Sequence, residues 1–119
     1  MQKFLVLYMA PAAGIEEWMK LDESVRKEQE EKMKADWDAW TAAHKESLTG
    51  MTAGAGKTKR ATSDGLADVK NDVMLVSTIE AESHDAAAGL FKDHPHLGIP
   101  GAWIDIMPLN FLPGMEQSS

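Results

Sequence analysis

Cysteine is absent from this chain of 119 residues, which excludes disulfides, thiol nucleophiles, thiolate zinc sites and iron–sulfur clusters. Positive charge is scarce as well: 12 Lys and Arg against 19 Asp and Glu leave a net charge of −7, which argues against general nucleic-acid binding. The apolar run over residues 4–13 is shorter than the roughly 20 residues that cross a bilayer. It also lacks the pattern of a signal peptide, so we expect a cytoplasmic protein with no membrane partner.

What the chain does contain is the composition of a folded domain. It has 44% hydrophobic and 26% charged residues, enough apolar content to build a packed core. Its length suits one domain over residues 1–119, since domains usually contain about 100–200 residues. We expect the tail over residues 112–119, which includes Pro113 and Gly114, to be loose.

Two segments predict strands in the interior of a sheet. Residues 3–9 and 73–79 are rich in β-forming residues and are apolar on both faces, so both faces need cover. Residues 101–107 predict the last strand, and residues 57–62 predict a short one that ends in a turn. The segment 54–58 looks like the end of a phosphate-binding loop, but the required first glycine is missing, so a hairpin turn is favoured.

Charge pairs and an apolar stripe predict a long helix over residues 15–48, after a loop at residues 11–14. A break is expected near Leu21, where Asp22 can cap a second helix, and Gly50 is in the expected closing position. A short helix is predicted over residues 83–92, with Ser83 as its N-cap.

This order of elements predicts an α+β fold of the ferredoxin-like, split βαβ type, with an antiparallel sheet and both helices on one face. The other face of the sheet would then be apolar and uncovered. A second copy of the chain is the expected cover, which predicts a two-fold homodimer with a ligand-sized hollow between the protomers.

The densest group of titratable residues is Asp93-His94-Pro95-His96. Histidine titrates near neutral pH, and an adjacent carboxylate can orient its ring for general acid–base catalysis. The predicted catalytic pair is therefore His94 with Asp93 as its orienting partner. An exposed polar loop explains the same residues, and a metal site on His94, His96 and Asp93 is a weaker alternative.

Aromatic residues form a second candidate feature. Trp37, Trp40 and His44 share one helix face, and Tyr8 can approach them from the first strand. They are either core residues or the wall of a cavity for a small organic molecule. Asp105, between two isoleucines of the last strand, either protects a sheet edge or enters the dimer cavity.

Several segments together resemble the YCII-related family over nearly the whole chain; they are residues 3–8, 62–65, 68–70, 79–83, 90–97 and 104–108. The resemblance implies a dimeric α+β barrel, with a site around a long-helix histidine and an aspartate directly before a proline. Some members are cofactor-free lyases, including a dehydrochlorinase of chlorinated aromatics. In this chain Trp37 stands where the family has its long-helix histidine, and His94 stands where the family has the aspartate before the proline. The resemblance therefore implies the location of the pocket but not the family's acid–base pair.

We therefore expect a homodimer that binds a small organic ligand without a cofactor or metal. His94 and Asp93 would transfer protons in a lyase or isomerase reaction, while ligand contacts would come from Tyr8, Trp37, Trp40, His44 and His96. The alternative is a non-catalytic metabolite-binding or regulatory dimer.

Overall fold

The computed structural model describes residues 1–110 and 112–114, so most of the predicted loose tail, residues 115–119, lies outside the described residues. In chain order the elements are β1 Gln2–Met9, α1 Ala12–Met19, α2 Glu23–Ala43, β2 Thr52–Gly54, β3 Thr58–Thr62, β4 Gly65–Val69, β5 Val73–Ala81, α3 His84–Gly89, a 3₁₀ turn Pro95–Gly98 and β6 Trp103–Pro108. None of these helices combines the length and apolarity needed to cross a bilayer.

The main sheet has four strands in the order β2-β5-β1-β6, and every neighbouring pair is antiparallel. On β1, Phe4 lies opposite Ile79 of β5 and opposite Pro108 of β6. The predicted α+β class, the antiparallel sheet and the interior positions of β1 and β5 are thus confirmed.

Strands β3 and β4 form a separate hairpin, and almost all of its residues are exposed. The radius of gyration is 16.5 Å, larger than the roughly 13–14 Å of a compact domain of this length. The short strand predicted before the turn is confirmed as β3. The hairpin turn predicted over residues 54–58 is wrong, because this segment connects the main sheet to the β3–β4 hairpin.

The first two helices agree only in part with the prediction. The predicted break is confirmed, since α2 begins directly after Asp22. The loop predicted over residues 11–14 is wrong, because α1 begins after Pro11. Gly14 inside α1 packs so tightly that a Cβ would lie 2.5 Å from the Pro100 carbonyl oxygen.

The far end of the long helix also differs from the prediction: α2 ends at Ala43, not Leu48. Gly50 does not close the helix. It lies against Thr78 of β5, where any side chain would collide. The backbone N–H of Glu80 donates to the Ser47 carbonyl at 2.9 Å, so residues beyond α2 follow the sheet. The predicted short helix is confirmed but ends at Gly89.

The core lies on one face of the sheet. Phe4, Val6 and Tyr8 of β1 are no more than 1% exposed. They pack with Ile79 and Ala81 of β5 and with side chains from the helical side, namely Trp40, Ala87 and Phe91. The opposite face, here called the bare face, consists of Leu5, Leu7, Met9, Val76, Thr78, Trp103, Asp105 and Met107, all of them half-buried or exposed.

Candidate ligand site

Six of the seven predicted site residues lie together. Tyr8 is central, with ring-centroid distances of 5.4 Å to Trp37, 5.3 Å to His94 and 5.6 Å to His96. Trp40 lies 4.4 Å from His94 and 4.8 Å from His44. With Phe91, which contacts three of these rings, they form the aromatic–histidine cluster: Tyr8, Trp37, Trp40, His44, Phe91, His94 and His96.

Three parts of the fold converge at the cluster. Tyr8 belongs to the inward-facing set of β1, and the two tryptophans are three residues apart on α2, which places them on one face. The two histidines follow α3, where Pro95 begins the 3₁₀ turn and His94 is its N-cap residue. The cluster therefore joins the sheet, the long helix and the loop before β6.

The expectation that these residues line a hollow between protomers is wrong. Tyr8 points to the face that α2 covers, so the cluster lies beneath the helices of a single protomer. Asp105, by contrast, is exposed on the bare face of edge strand β6, where its carboxylate accepts from the Trp103 indole at 3.3 Å.

Both buried histidines have defined hydrogen bonds. The backbone N–H of His96 donates to His94 Nδ1 at 3.0 Å, and His96 Nε2 donates to the Met9 carbonyl at 2.8 Å. Burial lowers the pKa of His96, although the bond to Met9 opposes this effect. The His96 ring is thus held firmly between the loop and the end of β1.

His94 is the unusual member of the cluster. It is only 2% exposed, and burial, together with His96 and His44, lowers its pKa to about 4. The ring is therefore neutral at pH 7. Because Nδ1 accepts a hydrogen bond, the ring proton belongs on Nε2, and among the described residues this buried N–H has no acceptor.

Asp93 does not join the cluster. It is exposed, and the contact predicted for it at His94 is made instead by the backbone N–H of His96. Across the described residues, no three His, Asp or Glu side chains come close enough to hold a metal ion.

The tryptophans differ in how firmly they are held. Trp40 is 9% exposed, and its indole N–H donates to the Leu90 carbonyl at 3.0 Å. Trp37 is only half-buried and lies at the surface end of the cluster. His44 is also half-buried, with Nδ1 donating to the Trp40 carbonyl at 2.9 Å. Trp37 and His44 therefore form the rim of the cluster.

Sequence reasoning missed Ser77 and Phe91. The Ser77 hydroxyl lies 3.2 Å from the Tyr8 hydroxyl, and burial raises the pKa of Tyr8 while this bond lowers it. A signal for Ser77 was available, since it is a hydroxyl between Leu75 and Ile79 on the inward face of β5. Phe91 is one of several apolar residues after α3, and nothing in the sequence distinguishes it.

Two openings lie away from the cluster. A cleft of about 1100 Å³ lies between α1 and the base of the β3–β4 hairpin, with Ile15, Lys57 and Asp72 in its walls. A hollow of about 250 Å³ lies beside Gly50. Neither is lined by a cluster residue.

A scan against protein-family models finds no match to this chain, and a search of curated proteins finds no similar sequence.

Proposed function

We propose that this chain is a small-molecule-binding protein that acts as a homodimer, with the aromatic–histidine cluster as its ligand site. The observation that carries the proposal is the convergence itself: three of the four histidines meet aromatic rings from β1 and α2 at one place. Burying an imidazole costs free energy that an apolar side chain would not cost. A core built only for stability would not need this arrangement.

Binding is favoured over proton transfer by the hydrogen bonds of His94. A general base needs a ring nitrogen with a free lone pair, but Nδ1 accepts from His96 and Nε2 carries the proton. The exposed carboxylate of Asp93 supplies no compensating contact. A cofactor-free lyase or isomerase is the second candidate, because a buried neutral imidazole can still polarise a substrate carbonyl.

The homodimer is supported by the bare face. Leu5, Leu7 and Met9 alternate with the core residues of β1 yet are left half-exposed in the protomer. A second copy packed face to face would bury both bare faces. The strand order β2-β5-β1-β6 is the order expected of a ferredoxin-like sheet and agrees with the dimeric barrel that the YCII-related resemblance implies.

A thermal-shift screen of a metabolite library tests the ligand site, with product analysis of every hit. Stabilisation without conversion supports a binding protein, whereas a product supports the enzyme. The Trp37→Ala variant should lose the shift. The matched control is Trp18→Ala, since Trp18 bonds to Gln29 at a surface position outside the cluster. Hits that survive Trp37→Ala would contradict the proposed site.

A further inference from the structure

We infer that the ligand of the aromatic–histidine cluster is an uncharged, planar carbonyl compound whose oxygen accepts a hydrogen bond from His94 Nε2. This inference rests on the proposed function, because it names the ligand class of the same site.

The direction of the hydrogen bond follows from the backbone. His94 precedes Pro95, and its own side chain caps the next turn by accepting the N–H of His96. A backbone N–H can only donate, so Nδ1 can only accept. The free nitrogen is consequently a donor, and its natural partner is an oxygen or nitrogen lone pair.

The Nε2–H of His94 has no acceptor among the described residues. Nearly all buried polar side-chain atoms have a hydrogen-bond partner, so an unpaired one calls for an explanation. The indoles of Trp37 and Trp40 lie 4.3 Å and 4.4 Å from the His94 ring at steep angles. Contacts between an N–H and an aromatic face are weak, so a ligand oxygen would be a much better partner.

The charge of the ligand follows from the polar groups of the cluster, which are imidazoles, a phenol and indoles, with no lysine or arginine among them. An anion entering this setting would lose its hydration without gaining a cationic partner. An uncharged carbonyl loses much less. The flat rings favour a planar body that stacks on Tyr8 once Trp37 has turned aside, since the two ring centroids, 5.4 Å apart, leave no gap between them.

Entry is assigned to Trp37. Trp40 is held by the Leu90 carbonyl, whereas Trp37 is half-buried and lies between two exposed residues, Asp36 and Asp38. A rotation of the Trp37 side chain opens the path to His94 without disturbing the sheet.

Three probes of nearly equal shape test the inference: acetophenone, ethylbenzene and benzoate. They share one ring, and only acetophenone offers an uncharged carbonyl. Each probe is titrated into the protein to measure its affinity, and NMR of the imidazole nitrogens reports whether it binds at the cluster. We expect acetophenone to bind about tenfold more tightly than ethylbenzene, as one added hydrogen bond allows. Benzoate should bind more weakly than acetophenone.

The free protein is examined first. The imidazole spectrum of His94 at pH 7 should show the tautomer protonated at Nε2, and the opposite tautomer would overturn the inference without any variant. Of two substitutions, His94→Gln places an amide N–H near the Nε2 position and should keep the preference for acetophenone. His94→Asn places its amide near Nδ1 and should lose it.

The carbonyl inference and the proposed ligand site are contradicted by different results. Equal affinity for acetophenone and ethylbenzene, with shifts at the cluster, overturns the carbonyl inference and leaves the site in place. If none of the three probes shifts a cluster resonance, both the inference and the proposed ligand site are overturned.

Discussion

The two faces of β1 are made of similar residues but have opposite surroundings. Phe4, Val6 and Tyr8 are buried beneath the helical layer, while Leu5 and Leu7, one step away along the same strand, are half-exposed. Hydrophobicity alone does not distinguish the sets. The difference is whether another element lies over them, so one face holds the proposed ligand site and the other is the proposed contact between protomers.

The largest expected effect is on the bare face. Leu7→Lys introduces a charge at the centre of the proposed interface, and two-fold symmetry repeats it. Losing two buried leucines should weaken the dimer by about 3–6 kcal/mol. In the separated protomer, a lysine at position 7 would lie beside Asp105 and be tolerated. Light scattering should therefore change from twice 13.0 kDa to 13.0 kDa without unfolding.

Leu66→Lys is the matched control, because Leu66 is 80% exposed on the hairpin, outside the main sheet. It should leave the mass unchanged. A wild-type protein that is folded and monomeric at micromolar concentration would contradict the proposed dimer.

The second effect is on the covered face. Phe4→Ala should lower the free energy of unfolding by about 3–5 kcal/mol, because it leaves a cavity in the core. Leu5→Ala, at the neighbouring position, should cost less in dilute protein and more as the concentration rises, since its cover is the second copy. Urea unfolding over a range of concentrations measures both. Equal losses that do not depend on concentration would contradict the contrast between the faces.

Acidification should lower the free energy of unfolding through His94, which is buried on the covered face. An unfolded histidine has a pKa near 6.5, whereas burial lowers the pKa of His94 to about 4 in the folded protein. As the pH falls, the unfolded chain takes up this proton first, so stability present above pH 6.5 is lost towards pH 4. The expected loss is about 3 kcal/mol.

Urea midpoints between pH 7 and pH 4.5 follow this loss, and His94→Gln should make the dependence shallower. The pH dependence that remains in His94→Gln should come partly from His96, because burial also lowers the pKa of His96. An unchanged slope in His94→Gln would show that His94 is not the titrating group.

The smallest effect concerns the hydroxyl pair beneath the cluster. Ser77→Ala removes the partner of the Tyr8 hydroxyl and should cost about 1 kcal/mol. Tyr8→Phe should cost a similar amount, and the double variant should cost less than the sum, since both changes remove the same bond. Additive losses in urea unfolding would mean that the two hydroxyls do not interact.

Much of this fold could be predicted because the relevant signals are local. Apolar residues on both faces predicted β1 and β5, and helical spacing placed Trp37, Trp40 and His44 on one face. The start of α1 and the end of α2 were not predicted, and the glycines near them, Gly14 and Gly50, lie against Pro100 and Thr78, far along the chain.

The candidate site shows the same division. Residue types and spacing pointed to six of the seven cluster members, but they left an exposed loop as the alternative for His94 and His96 and did not reveal Phe91 or Ser77. The partner of His94 was misjudged, because sequence adjacency favoured Asp93, whereas the folded loop presents the His96 backbone N–H.

Periodicity, capping and composition depend on near neighbours, so they determined the class of the fold, the interior strands and the Ser83 cap without reference to the rest of the molecule. The tertiary arrangement alone decided which face of β1 is covered and how deeply the His94 ring is buried. Both depend on groups distant in the chain, through burial and hydrogen bonds that exist only once the sheet, α2 and the loop after α3 have come together.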